Sequence, residues 1–296
     1  MLRWFRILLT AAKEWNADHV FRHSAAVSFY TLFSLAPITV IAAALAGAVL
    51  GKERAGDALQ QQLTELIGAD SAKMIQQTGE KAAEATHGTW ITTTIGVAVL
   101  LFGATTVFSQ LQDSLNAIWK VQQKPSRSGW LVLLTQRILS FAMVLTMGFL
   151  LLVSLILTTA LESLTAHFGA GWNGAVLKIA DLSVSLAVMT VLFALILKVM
   201  PDVEVRWREV WRSGLVTAVL FTIGRFAISL YLAHSTIASV YGAAGSLVAL
   251  LIWIYYTAAI FFYGAEFLKA DRAAHRLPVT PKKTAVLERS QAGTGA

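Results

Sequence analysis

The chain contains no cysteine, and only 14% of its 296 residues are charged. The first absence excludes disulfides, thiolate metal sites and cysteine nucleophiles. The second excludes an ordinary soluble globule, which carries about 25% charged residues and has to coat its surface with them. Catalytic signatures are missing as well: there is no Walker loop, no GxSxG elbow and no dinucleotide fingerprint. His19 and His23 have the spacing of a metal pair, but "HVFRH" lacks the glutamate of a zinc protease and no third ligand is apparent. His87, His167, His234 and His275 are scattered over connecting segments. The expectation is therefore no enzyme, no cofactor and no metal. No internal repeat is visible, so symmetry does not argue for an inverted-repeat transporter.

What the chain has in excess is apolar length. Hydrophobic residues make up 56% of it, and the mean hydropathy is +0.63. A membrane helix needs about 20 mainly apolar residues to cross the hydrocarbon. Six segments meet that need, at 24–50, 91–110, 138–161, 182–199, 214–233 and 244–264. Backbone amides facing lipid must be satisfied within their own segment, and no ten-residue alternation of a membrane barrel is present. The expected fold class is all-α, a polytopic integral membrane protein with one transmembrane domain over 24–270.

Orientation follows from the cations. Arg3, Arg6, Lys13 and Arg22 precede the first span; Lys120, Lys124, Arg127 and Arg137 lie between the second and third. Lys198, Arg206, Arg208 and Arg212 lie between the fourth and fifth, and Lys269, Arg272, Arg276, Lys282, Lys283 and Arg289 follow the sixth. The opposite side holds only Lys52, Arg54, Lys73, Lys81 and Lys178. The positive-inside rule then places both termini in the cytoplasm, as an even number of spans requires. The same count explains the pI near 9.7 without nucleic acid, leaving only an attraction to anionic membrane lipids.

The flanking segments have their own patterns. Residues 1–23 read as an amphipathic interfacial helix, with Arg3, Arg6, Thr10 and Lys13 on one face and Trp4, Leu8, Ala11 and Trp15 on the other; a soluble helix packed on the inner loops is the alternative. They do not read as a signal peptide, because the apolar stretch 7–12 is too short. The outer loop 51–90 reads as two short amphipathic helices capping the outer face, and 271–296 as a disordered cytoplasmic tail. Trp90 and Trp172 are expected at the outer surface, and Trp119, Trp130, Trp207 and Trp211 at the inner one. Trp253, in mid-span, is expected to fill helix packing.

Within the spans, Arg225 stands close to the midplane, where a lone guanidinium costs several kcal/mol unless it reaches water or a partner. It must face inward. Side chains lean toward the helix N-terminus, so its charge points to the cytoplasm, where Asp113 and Glu266 end their spans. A depth gap of the order of 15 Å separates them, which the side chain alone does not close. Two readings remain: satisfaction by carbonyls and by hydroxyls such as Ser28, Tyr30 or Ser34, or a cation in a hydrated pathway for an anionic substrate or lipid headgroup. Pro37 removes a helix bond and should kink the first span. Gly242 with Ser246 and Gly245 with Ala249 are small pairs four apart, suited to close helix packing; anion binding at that glycine-rich start is a weaker alternative.

Four stretches, "AAVSFYTLFSLAPITVIAAALAG", "NAIWKV", "VMPDVEVRWREVWRSGLVTAVLF" and "YGAAGSLVALLIWIYYTAAIFFYGAEF", resemble the YihY/BrkB family of bacterial inner-membrane proteins. Tyr30, Ser34, Pro37, Asn116, Trp119, Pro201, Tyr241, Gly242, Gly245, Trp253, Tyr255, Gly264 and Glu266 match its motifs. The resemblance implies a six-helix inner-membrane protein. Members have carried the label ribonuclease BN, yet RNA cleavage needs a metal cluster or an acid-base pair in a wet basic groove, and the sequence offers neither. The expectation is a transporter or permease of a lipid or small solute, with Arg225, Tyr30, Ser34, Pro37, Asp113 and Glu266 along the pathway. The alternative is a non-catalytic scaffold for envelope assembly.

Overall fold

A computed structural model describes residues 2–50, 56–57, 60–61, 64, 69–84, 90–124, 138, 142, 174–234 and 245–288. Its main elements are α1 (Leu2–Ala17), α2 (Val20–Leu50), α3 (Ala69–Glu84), α4 (Trp90–Trp119), β1 (Val121–Gln123), α5 (Gly174–Val199), α6 (Trp207–His234), α7 (Gly245–Ala274) and β2 (Ala285–Leu287). Two stretches with described side chains, Leu182–Val199 and Leu247–Ala274, are long and apolar enough to cross a membrane. The span expected at 138–161 lies outside the described residues except for Ile138 and Ala142, both helical and exposed.

Helices α2, α4, α5, α6 and α7 share one apolar core. It includes Val27 of α2, Phe108 and Leu115 of α4, Phe193 and Leu197 of α5, Phe221 of α6 and Phe262 of α7. Large apolar side chains also face outward. On α6 Leu215, Val219, Ile223, Phe226 and Leu230 form an exposed stripe every three or four residues, while Ser213, Gly214, Thr217, Ala218, Phe221, Gly224 and Ile228 are buried. An apolar outer stripe with small and polar residues inside is the pattern of a helix solvated by lipid.

Small residues set the spacing. A Cβ on Gly264 would collide with the Thr217 hydroxyl, and one on Gly214 would meet the Thr190 carbonyl at 2.8 Å. Close approach is thus made at Gly214, Gly224 and Gly264. Of the expected glycine pairs, Gly242 lies outside the described residues. Gly245 is buried at the start of α7, Ala249 is partly buried, and the Ser246 side chain is outside the described set.

Two expectations need correction. Residues 271–288 are ordered, because their polar groups find partners on the inner loops. β2 pairs antiparallel with β1, Gln122 opposite Val286, Val203 bridges Pro281, and Lys282 N–H donates to the Asp202 carbonyl at 2.9 Å. Among the described residues the fold therefore carries a small two-stranded sheet beside its helices. Trp119 is not an interfacial anchor: it is 2% exposed and sits in the core, whereas Trp207 and Trp211 are exposed as expected. Helix α3 packs against α7 and α2. Its Ile75 packs with Leu250, Ile254 and Trp253 of α7 and with Leu32 and Leu35 of α2, roughly 8 to 14 Å along α7 from its first residue. The first expected outer-loop helix lies mostly outside the described residues.

Candidate functional site

Arg225 lies four residues after Phe221 and three before Ile228, on the inward side of α6, and is partly buried. Its neighbour Gly224 faces Tyr256 and Ile260 of α7. Those residues are ten and six positions before Glu266, or roughly 9 to 15 Å along the helix. Among the described residues Arg225 has no hydrogen-bond or ion-pair partner. The hydroxyls considered for it are used elsewhere or point away. Ser28 donates to the Ala25 carbonyl of its own helix at 2.9 Å, and Ser34 donates to the Gly103 carbonyl at 2.6 Å, joining α2 to α4. Tyr30 is 37% exposed, with its ring edge-on to Phe29. Pro37 lies within α2, its side chain outside the described set. Asp113 is exposed at the inner end of α4.

Glu266 is fully buried and belongs to a different constellation. The α1–α2 turn, with His19 at a φ of 51°, brings Asp18 to the C-terminal part of α7. There the Lys269 ammonium meets Asp18 at 2.6 Å, Glu266 at 3.3 Å and Glu14 at 3.4 Å, and Lys120 meets Asp18 at 2.7 Å. The carboxylates of Glu14, Asp18 and Glu266 are close enough to one another to share a metal ion, but Lys269 already supplies the cation. Apolar contacts support the same docking: Ile7 and Ala11 of α1 pack on Phe267 and Ala270, and Trp15 donates its indole N–H to the Ala259 carbonyl.

Burial alone would push the Asp18 carboxyl up, but the hydrogen bonds from Lys120 and Lys269 outweigh it and hold the group below its ordinary value of 3.8. A depressed carboxyl stabilises the fold above the unfolded value and loses that contribution as pH falls through the folded one. Acidification below about pH 4 should therefore release α1 from α7, read as a change in Trp15 fluorescence. Asp18→Asn should remove that acid step; a step unchanged in the variant would assign it to another group.

Two further networks join α4, α6 and α7 through the segments that flank them. Asp202, before α6, accepts from Asn116 Nδ2 at 2.9 Å and Gln112 Nε2 at 3.3 Å, while its own N–H donates to Asn116 Oδ1 at 2.8 Å. Arg272 of α7 pairs with Glu209 of α6 at 2.7 Å, both side chains buried, and donates to the carbonyls of Glu204 and Pro278. Asn116 and Pro201, which match the family motifs, flag this region in the sequence; the roles of Asp202, Gln112, Glu209 and Arg272 have no local signature.

The family model described as "Virulence factor BrkB" matches residues 11–284. The chain belongs to this family. A UPF0761 membrane protein of Verminephrobacter eiseniae is 31% identical over 266 residues, covering 88% of this chain and 61% of the relative. Similar proteins of Methylibium petroleiphilum and Azotobacter vinelandii are each 28% identical, over 88% and 89% of this chain and 61% and 63% of theirs. The chain thus spans about three fifths of the length of these relatives. No solved structure matches it. Family and relatives together make this a mostly helical membrane protein.

Proposed function

We propose that the chain crosses a bacterial inner membrane six times, with both ends of this sequence on the cytoplasmic side, and passes a small solute or a lipid through its bundle without catalysing a reaction. The observation that carries this reading is Arg225: a permanent cation on the inward side of α6, partly buried, with no anionic partner among the described residues. A cation at that depth is retained where it meets water or cargo. Two groups considered as its partners are engaged elsewhere, Ser34 with the Gly103 carbonyl of α4 and Glu266 with Lys269 of its own helix, and neither compensates the guanidinium.

Purified protein reconstituted in liposomes should carry flux of a candidate anionic solute or a labelled lipid. Arg225→Leu should reduce that flux at least about tenfold, the loss expected for one charge-assisted contact, while the protein still elutes as a folded species. Flux equal to wild type in the folded variant would overturn the role of Arg225. No flux in the wild type, together with a stable partner recovered by crosslinking, would replace transport with the scaffold reading.

A further inference from the structure

Between the inner end of α5, the start of α6 and the ordered tail lies a cleft of about 950 Å³. Its walls carry Lys198, Arg206, Arg272 and Lys282 against Glu204 and Glu209, so cations are in excess. The acids do not balance them. Glu209 is committed to Arg272 and also accepts the Arg206 backbone N–H at 3.3 Å; Glu204 is exposed. Lys198 donates to the Val205 carbonyl and Lys282 to the Val199 carbonyl at 2.9 Å. Those acceptors are neutral, and each satisfies one of an ammonium's three donors. Among the described residues no carboxylate lies within ion-pair distance of either lysine.

We propose that this cleft binds a phosphate-bearing anion, held by Lys198, Lys282 and Arg206. Two partly buried ammonium groups with donors to spare, beside an exposed guanidinium, match the several acceptor oxygens of a phosphate. Burial pushes the Lys282 ammonium below its ordinary value and Lys198 adds to the push, against Asp202 and Glu204; a bound anion relieves both. Lys198 also lies over the exposed Trp207 ring, 5.8 Å from its centroid, which puts an aromatic anchor of headgroup depth at the rim. Basic pockets on the cytoplasmic side of helix bundles take lipid headgroups in this way. The cleft is separate from Arg225, so its occupancy does not depend on transport.

A lipid headgroup and free phosphate share this chemistry, and two measurements on the full chain distinguish the two sources. Native mass spectrometry from mixed phosphatidylglycerol and phosphatidylcholine micelles should show phosphatidylglycerol retained preferentially if the source is lipid; equilibrium dialysis should show saturable inorganic phosphate binding if it is free. The double variant Lys198→Gln, Lys282→Gln should bind at least about tenfold more weakly in whichever assay is positive, and Lys283→Gln, an exposed neighbour outside the cleft, should match wild type. Should the double variant not fold, Arg206→Gln, whose side chain makes no hydrogen bond or ion pair among the described residues, should weaken binding several-fold. Wild type with neither lipid preference nor phosphate binding, or Arg206→Gln and the folded double variant binding as wild type, would overturn the proposal.

Discussion

Arg272→Met should lower the stability of the detergent-solubilised protein by about 3 to 5 kcal/mol, because it leaves the Glu209 carboxylate buried without a counter-charge. The two side chains are only 7% and 5% exposed, so water cannot take over the role of the guanidinium. The same change strips the Glu204 and Pro278 carbonyls of their donor, which removes one of the ties between the chain after α7 and the segment before α6. Replacing both partners, Arg272→Met with Glu209→Leu, should recover most of the loss, since an apolar pair of similar volume is often neutral to a buried ion pair. Denaturant titration followed by tryptophan fluorescence reads both variants. A double variant as weak as the single one would mean that the carbonyl contacts, and not the ion pair, dominate.

The second large effect is expected at Asp202. Asp202→Leu should cost about 3 kcal/mol, because Asn116 and Gln112 would each keep a buried donor with no acceptor, at about 1 to 3 kcal/mol apiece. Asp202→Asn keeps one acceptor oxygen and should cost about 1 kcal/mol. The contrast between the two variants is the test: equal losses would show that volume, and not the hydrogen bonds, matters at this position.

The parts of the structure that were legible in the sequence are those governed by the solvent. Lipid compels long apolar helices, so α2, α4, α5, α6 and α7 each cover an expected span, and the inward side of α6 followed from the cost of the Arg225 charge. Partners distant in the chain were not legible. Asp202 is hydrogen-bonded to residues 86 and 90 positions away, and nothing in "VMPDVEV" indicates which helix end it meets. The segment 271–288 has the small and polar composition of a tail, and its order comes from two three-residue strands and a few side chains whose acceptors lie on other loops. Tyr30 and Ser34 are four residues apart, a spacing that suggests one lining, yet Ser34 is buried against Gly103 and Tyr30 is turned outward.

The pairing of β2 with β1 also sets an order of assembly. Strand β1 leaves the ribosome before α5, α6 and α7 have been made, and its edge has no β partner until residues 285–287 emerge. Synthesis runs from the N-terminus at about 5 to 20 residues per second, so this clasp closes after the helices between its two strands have been made. Nascent chains halted before residue 285 would hold the bundle with this fastening undone.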